Sequence, residues 1–575
     1  MGFFKKVFGN AVEEVKKNLE DSKNEILKNL EDKKNEMLKD LNAKKDEVLG
    51  NLGINSSKLS QFSSLIRNLD GDVTEQKQTT STKSKAITVE GILVTDIDTL
   101  IKHGIGKNDF SNWDKMTSVI IPDGVTKIRY SAFDNCKELT SITIPESVIE
   151  IGSIAFRDCK QLTSVTIPKG IKSIETCAFR NCEKLTSLVI PDGVTKIGED
   201  AFWGCSSLVS ITIPESVIEI GSCAFRDCKQ LASVTIPKGV TSIESYAFCH
   251  CEKLTSLVIP DGVTKIGKDA FGGCSSLTSI TIPESVIEIG SEAFNECQEL
   301  TSITIPKGIT SIESCVFFFC GKLTSIHIPD GVTKIGSHAF SWCKKAKFNQ
   351  LPNSIIEIGD SAFYGCQELT SVLIPNGVKE IGDCAFDKCS NLISITIPRS
   401  VTSLGNYVFK NCENLSDITV DGNNTIYDSR NNCNAIIETA TNTLLYGGTK
   451  TVIPDSVKSI KEQAFCGCSN LTSITIPDNV ECIEEGVFAY CKKLQYVKLS
   501  NSIEEIKEDT FRNCISLKSI NIPHSVTYIS KNAFIGCESL KSITSEKDAK
   551  TFDTNIFEDC KSLKKVTLPP KVEIG

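Results

Sequence analysis

The cysteines have the widest chemical range in this sequence, because a thiolate can ligate a metal, form a disulfide or act as a nucleophile. The chain of 575 residues contains 26 cysteines. Thirteen recur every 23 residues from Cys136 to Cys412, and five more keep that period from Cys468 to Cys560. The other eight lie off this period: Cys177, Cys223, Cys249, Cys315, Cys384, Cys433, Cys466 and Cys482.

A spacing this regular favours one repeated structural position over metal or redox chemistry, since an unpaired cysteine is commonly a small buried side chain. Two Cys-X-Cys pairs occur, Cys249 with Cys251 and Cys466 with Cys468. Neither has the second Cys or His pair that a tetrahedral zinc site requires. We therefore expect no metal site. So many free thiols imply either a reducing compartment or thorough burial.

Motifs for other chemistry do not occur in the sequence. None of the five histidines stands in an HExxH or comparable spacing, and GxGxxG, Walker and GxSxG motifs are missing. We expect no cofactor and no enzymatic activity. The net charge of -9 and the interleaved lysines and acidic residues argue against a nucleic-acid partner. No apolar run approaches the ~18 residues that a membrane helix needs.

The elements that place the cysteines are written in the 23-residue consensus LTSITIPxxVxxIGxxAFxxCxx. Its first part alternates apolar and polar residues, as Ile142 and Ile144 do with Ser141 and Thr143, which predicts a strand with one buried face. Proline ends that strand, and a turn, a second extended stretch (VTKIG) and a turn carrying AFxxC follow. One unit cannot bury its own Leu, Ile and Phe side chains, so the units must stack into a solenoid with one internal phenylalanine column.

This consensus resembles the BspA-like (Treponema-type) leucine-rich repeat, over about 116–575. The resemblance implies an α/β repeat solenoid, a right-handed curved array of 23-residue units, and a role in binding. It also implies a cell-surface or secreted protein that attaches to host matrix or cell-surface proteins, although no signal peptide or anchor is visible; the alternative is a cytoplasmic location. The phase break at about 421–450 resembles an insertion that recurs in such proteins, and predicts a hairpin around Ala440 to Asn442.

A different repeat, of eleven residues, precedes the solenoid and places Leu19, Leu30, Leu41 and Leu52 in one column. It predicts a long amphipathic helix within residues 1–71. This helix, through residues 3–52, either self-associates as a coiled coil, contacts a membrane surface, or folds back as a cap. Residues 72–85 are polar and predict a linker, and residues 86–115 predict an N-terminal cap on the first repeat.

Three consecutive units form a cassette that recurs every 69 residues: the motif ITIPESVIEIGS begins at Ile142, Ile211 and Ile280. Because outward residues such as Glu146, Lys169 and Asp192 share this longer period, we interpret it as duplication of three-unit blocks. The outward Ser and Thr residues, and the positions that break their pattern, are the candidate partner-binding surface. Its members are Ser141, Thr143, Ser164, Thr166, Val189, Ser210, Thr212, Val258, His327, Leu373, Tyr496 and Lys498. Phe348 is either another exposed anchor or a core residue.

Overall fold

A computed structural model of the protein describes residues 88–89, 92–93, 95–348, 350–545, 551–553 and 555–567. The chain divides into two compact units, Met1–Thr82 and Lys83–Gly575. The amphipathic helix expected in residues 1–71, its self-association or membrane contact, and the linker 72–85 lie outside the described residues. Everything below concerns the second unit.

Most 23-residue repeats supply one strand to a first parallel ladder, which we call the first ladder, and the repeats of Ser164 and Ser233 contribute an isolated bridge instead. Its residues alternate exposed, buried and exposed, as in Ser141–Thr143, because the central isoleucine faces the core. Equivalent residues of successive repeats pair in register, Ser210 with Ser187 for example. The strands are Ser118–Ile120, Ser141–Thr143, Ser187–Val189, Ser210–Thr212, Ser256–Val258, Ser279–Thr281, Ser302–Thr304, Ser325–His327, Ser371–Leu373, Ser394–Ile397, Asp417–Val420, Ser473–Thr475, Tyr496–Lys498, Ser519–Ile522, Ser542–Ser545 and Lys565–Thr567.

A second ladder of two-residue strands follows the proline turn, also parallel and in register. The second residue of most of these strands is a buried apolar side chain, such as Ile151 of Glu150–Ile151. The strands are Lys127–Ile128, Glu150–Ile151, Ser173–Ile174, Lys196–Ile197, Glu219–Ile220, Ser242–Ile243, Lys265–Ile266, Glu288–Ile289, Ser311–Ile312, Lys334–Ile335, Glu357–Ile358, Glu380–Ile381, Ser403–Leu404, Ser459–Ile460, Cys482–Ile483, Glu505–Ile506, Tyr528–Ile529 and Thr551–Phe552.

The third side of each repeat is a turn that carries AFxxC, and we call it the turn side. The Phe133 N–H donates to the carbonyl of Ala155 one repeat later at 2.8 Å, and this bond recurs along the array. The phenylalanine rings stack at 5.2–5.8 Å between centroids from Phe133 to Phe409. The expected internal phenylalanine column is therefore present, and the chain is a repeat solenoid with a 23-residue spacing. Its handedness and curvature stay predictions.

The described residues before the first full repeat include one helix, Ile97–His103. Asp96 caps its first turn by accepting a hydrogen bond from the Thr99 N–H, and Gly104 follows its end. The ring of Phe110 lies 5.9 Å from that of Phe133 and extends the core column by one residue. The short elements around it are the strands Thr88–Val89, Ile92–Leu93 and Phe110–Ser111 and the 3₁₀ turns Lys107–Asp109 and Trp113–Lys115. No helix in the described residues is long and apolar enough to cross a membrane.

The phase break contains an antiparallel hairpin of Ala435–Glu438 and Thr443–Gly447, preceded by the strand Tyr427–Asp428 and the 3₁₀ turn Arg430–Asn432. Its second strand pairs with Ser459–Ile460 and so enters the second ladder. Both faces of this strand are buried: Leu444 belongs to the core that follows it, and Leu445, on the opposite face, to the core that precedes it. The hairpin therefore separates two hydrophobic cores.

Candidate functional site

The in-phase cysteines form a ladder of buried thiols on the turn side. The Cys159 Sγ–H donates to the carbonyl oxygen of Phe133, in the previous repeat, at 3.1 Å. The same bond recurs with a sulfur–oxygen distance of 3.1–3.3 Å through Cys412. Burial raises the pKa of Cys205 and Cys274 from 9.0 to about 12. A thiol held protonated this way is neither a nucleophile nor a metal ligand at neutral pH.

The off-phase cysteines occupy other positions of the repeat and do not converge. Cys177, Cys223, Cys315 and Cys384 share the left-handed position two residues before the core phenylalanine, with φ of 55–58°. Burial is the largest cause that raises the pKa of each of these thiols too. All 26 cysteines are free. Within the described ranges, no group of three His, Cys, Asp or Glu side chains is arranged to hold a metal ion.

All twelve candidate binding residues are exposed, and ten of them lie on strands of the first ladder; Ser164 joins the ladder by an isolated bridge to Ser141, and Thr166 follows it. The side chains of Val189, Val258, Leu373 and Tyr496 are 68%, 70%, 63% and 57% exposed. They do not meet in one pocket, because equivalent positions stack along the array, as Val189 beside Thr212 and Thr304 beside His327. The candidate residues are therefore parts of one extended face.

Where a threonine precedes a first-ladder strand, it has a structural role that the sequence interpretation did not include. The Thr140 hydroxyl donates to the backbone carbonyl of Thr117 at 2.8 Å, and Thr278 does the same to Thr255 at 3.0 Å. These hydroxyls therefore bond to the preceding repeat. The strand of Ser141 and Thr143 pairs with its neighbour through the backbone, which leaves its outward side chains for a partner. In the same column the hydroxyls of Thr396 and Thr419 bond each other at 2.8 Å.

Between Ser325–His327 and Ser371–Leu373 the described residues include neither a first-ladder strand nor an isolated bridge. Here Phe348 is buried, with its ring 4.9 Å from those of both Phe340 and Phe363. It is a core residue, not an exposed anchor. It fills the space that Ala346 leaves, at the position where other repeats have leucine.

On the face of the second ladder, exposed apolar residues that the sequence interpretation missed lie just before some of the strands. Ile149, Ile218, Ile287 and Ile356 are 60%, 60%, 64% and 45% exposed and recur every 69 residues. The motif VIEI gave no signal for this exposure, because simple alternation would place Ile149 on the same inward face as the buried Ile151. Beside them, outward lysines pair with glutamates of the next repeat, such as Lys196 with Glu219 at 2.7 Å.

A second missed feature lies on the turn side, where aromatic and cationic residues of four neighbouring repeats lie together. We call it the aromatic–lysine cluster: Phe318, Phe319, Trp342, Lys344, Tyr364 and Lys388. The Phe319 and Trp342 rings stack at 5.7 Å, and Tyr364 meets Trp342 edge-on at 5.3 Å. The ammonium groups of Lys344 and Lys388 lie 5.6 and 5.5 Å from the centre of the Trp342 ring. Sequence periodicity could not find this cluster, because the two positions before the in-phase cysteine vary in residue type along the array.

Comparison with known proteins agrees with this geometry. The model of the BspA type leucine rich repeat region matches residues 103–232, 219–347, 343–442 and 447–573. A leucine-rich repeat protein from Bacteroides ovatus is 27% identical, with a TM-score of 0.51 over 72% of this chain and 98% of that chain. A leucine rich cell surface protein from Faecalibacterium prausnitzii is 32% identical, with a TM-score of 0.45 over 63% and 87%.

No curated protein is similar enough to count as a relative. The family model nevertheless spans nearly all of the described repeats, and the Bacteroides ovatus structure shares the fold over almost its whole length. The consensus, the stacked core and these matches agree with one another. The chain belongs to the family of proteins with BspA type leucine rich repeat regions.

Proposed function

We propose that this protein is a non-enzymatic binding protein that attaches to protein partners through its first ladder, at a cell surface. The observation that carries the proposal is the series of mostly uncharged, exposed side chains on that ladder, with apolar residues such as Val258 and Leu373 among hydroxyls. Covering exposed apolar surface favours association. Membership of a repeat family that generally binds proteins and includes surface proteins supports the same assignment.

The first ladder is favoured over the second for an electrostatic reason. The second ladder presents repeated Lys–Glu pairs, at 2.6 Å for Lys127 with Glu150 and 2.8 Å for Lys265 with Glu288. A partner that covered them would have to desolvate charged groups, which costs free energy even when the pair stays intact. The hydroxyls of Ser210 and Thr212 are far less costly to cover.

A matched pair of double variants of the full chain tests the face. We expect Val258→Asp with Leu373→Asp to weaken binding to immobilised matrix proteins about tenfold, since each change buries a charge at the contact. Ile218→Asp with Ile287→Asp places the same charges at similar exposure on the second ladder and should change binding less than about twofold. Equal losses in both variants, or a loss only in the second, would exclude the first ladder as the binding face.

An intracellular interaction scaffold is the second candidate, and one observation favours it. The 26 cysteines are all free, as is usual where thiols are kept reduced. In this alternative the N-terminal segment would oligomerise the chain or dock it on a membrane. Protease treatment of intact producing cells separates the two candidates: loss of the repeat array while a cytoplasmic protein survives requires surface exposure, and protection until lysis requires the scaffold.

A further inference from the structure

The aromatic–lysine cluster is not explained by copying of cassettes. One cassette earlier, the positions of Phe318, Phe319 and Trp342 hold Cys249, His250 and Gly273. Duplication alone would have reproduced those residues. Aromatic substitutions in consecutive repeats that end in mutual contact point to a requirement at this place on the turn side.

The cluster is also not required by the core. The core rings at these repeats are Phe317 and Phe340, which stack at 5.4 Å and are fully buried. Phe319 is 39% exposed, and both Phe319 and Trp342 are bulky residues in the left-handed region, with φ of 59° and 61°. A side chain there costs about 1 kcal/mol or more in backbone free energy. The fold therefore carries a conformational cost for rings that lie at its surface.

The neighbouring repeat is built around the Trp342 ring. At Gly365, a Cβ atom would lie 2.9 Å from Cε3 of Trp342, so any larger residue would displace the indole. On its other side the ring stacks on Phe319. Trp342 is thus held between two repeats with its orientation fixed, as interface anchors commonly are before binding.

The charge around the cluster is positive, although the chain as a whole is negative. Residues 338–349 contain Lys344, Lys345 and Lys347 and no acidic residue. In the part of the chain that the structure describes, these lysines and Lys388 have no carboxylate within 4.0 Å. Their cationic charge is therefore available to a partner.

Trp203, also on the turn side, provides the contrast. Its ring lies 3.8 Å from the Arg180 guanidinium, but that cation pairs with Asp200 at 2.9 Å. The indole Nε1–H donates to Asp227 at 2.9 Å. At Trp203, the Arg180 guanidinium and the indole N–H therefore already have carboxylate partners within the protein. Within the described residues, the lysines at Trp342 have no such partner, and this is how the two sites differ.

We propose that the aromatic–lysine cluster is a docking site for an acidic protein segment that carries an aromatic or other apolar side chain. The carboxylates of such a segment meet Lys344 and Lys388, the two cations at the Trp342 ring, and its apolar side chain packs against Trp342 and Tyr364. Charge complementarity selects an acidic partner, and the fixed rings select a peptide with an apolar anchor over a purely ionic polymer. This surface is distinct from the first ladder and adds a second contact to it.

The test measures binding of the full chain to three polymers: a random copolymer of glutamate and tyrosine, polyglutamate, and heparin. We expect the copolymer to bind at least about tenfold more tightly than polyglutamate, because only it has an apolar anchor. Trp342→Ala should abolish that difference, and Lys344→Gln with Lys388→Gln should weaken copolymer binding about tenfold. Trp203→Ala is the matched control and should leave binding unchanged.

Each other outcome overturns the proposal. Heparin binding that equals or exceeds copolymer binding and is lost in the lysine variant would assign the cluster to an anionic polysaccharide. Copolymer binding that is equal in Trp342→Ala and Trp203→Ala would show attraction to charge alone. The lysine variant keeps every core residue. If Trp342→Ala does not fold, the loss of copolymer binding in the lysine variant still tests the proposal. Failure here would not affect the first-ladder proposal, which the Val258 and Leu373 variants test separately.

Discussion

At the scale of the residue, the repeated cysteine is a hydrogen-bonding core residue. Each Phe carbonyl of the ladder accepts two bonds: that of Phe248 accepts the Cys251 N–H at 3.2 Å and the Cys274 Sγ–H at 3.3 Å. The N–H closes the turn within one repeat, and the thiol ties the next repeat to it. Serine could donate the same bond, but a buried hydroxyl costs more to desolvate than a thiol.

The thiol ladder predicts that the array loses stability in alkaline solution. The folded state raises the pKa of Cys274 from 9.0 to about 12, so the unfolded chain releases this proton first. The stabilising contribution is complete below pH 9 and is lost as pH rises toward 12. In that window each such thiol lowers the free energy of unfolding by about 1.4 kcal/mol per pH unit.

Urea unfolding of the full chain at a series of pH values from 7 to 10.5 measures this slope. Cys274→Ala should remove about one thiol's contribution to the decrease of the free energy of unfolding with pH. At pH 7 it should lower that free energy by about 1–2 kcal/mol, because the hydrogen bond and the side-chain volume are lost. A variant slope equal to that of the parent chain would show that Cys274 does not titrate on unfolding.

The residue scale also shows what the sequence could not reveal. Burial of the in-phase cysteines followed from the period, since a position that recurs with the core phenylalanine must share its environment. The period did not predict the hydrogen bond from each thiol to the preceding repeat, because that bond depends on which atoms face each other between stacked repeats. The candidate residues of the first ladder were placed by simple alternation, whereas the aromatic–lysine cluster required three-dimensional neighbours.

At the scale of the element, the 69-residue cassette has a structural basis that its outward residues had seemed to lack. The Ser216 hydroxyl donates to the Val194 carbonyl of the preceding repeat at 2.7 Å and accepts the Gly193 N–H at 3.1 Å. The carboxylate of Glu215 accepts the Lys238 N–H of the following repeat at 3.2 Å. An IPES repeat therefore bonds to the IPDG repeat before it and to the IPKG repeat after it. The 69-residue period reflects these bonds between repeats as well as duplication of three-unit blocks.

The insertion is the element whose removal is most informative. The turn side already continues across it, because the Asn411 N–H donates to the Cys466 carbonyl at 3.0 Å and Asn470 bonds Asn414 at 2.6 Å. Deletion of residues 421–453 joins Val420 to Pro454 and restores the 23-residue spacing between Cys412 and Cys468. We expect the shortened chain to fold, with Phe409 stacked on Phe465.

Calorimetry checks this expectation. In the full chain the hairpin separates two cores, whereas the deletion joins them, so its unfolding should become more cooperative and give a narrower transition. Substitution of Tyr446 by alanine in the full chain is the comparison, since it removes a buried ring from the preceding core and should destabilise by about 3–4 kcal/mol. A deletion variant without a folded far-ultraviolet spectrum would mean that the hairpin is needed for folding.

At the scale of the whole molecule, the repeat period fixed nearly everything about the fold, because each unit must bury its apolar residues against identical neighbours. The positions that depart from the period were harder to predict from the sequence. They are the buried Phe348, the insertion that divides the core and the aromatic–lysine cluster. Binding that is spread along the array should depend on the number of repeats, whereas binding at one aperiodic site should not.

Deletion of one complete cassette distinguishes these two kinds of binding. Removing residues 214–282 joins Ile213 to Pro283 and recreates the original Ile–Pro junction. The array becomes three repeats, or ~14 Å, shorter. Val258 is lost from the first ladder, while Leu373 and every residue of the aromatic–lysine cluster remain. Since each repeat depends mainly on its neighbours, we expect the shortened chain to fold.

Binding of this variant then reports on each surface in turn. Matrix-protein binding through the first ladder should weaken severalfold, because the contact is spread along an array that has lost an anchor. Binding of the glutamate–tyrosine copolymer should stay unchanged, because its site is local and intact. A copolymer loss in a folded variant would contradict a local site, and unchanged matrix-protein binding would mean that the contact on the first ladder does not include the deleted repeats.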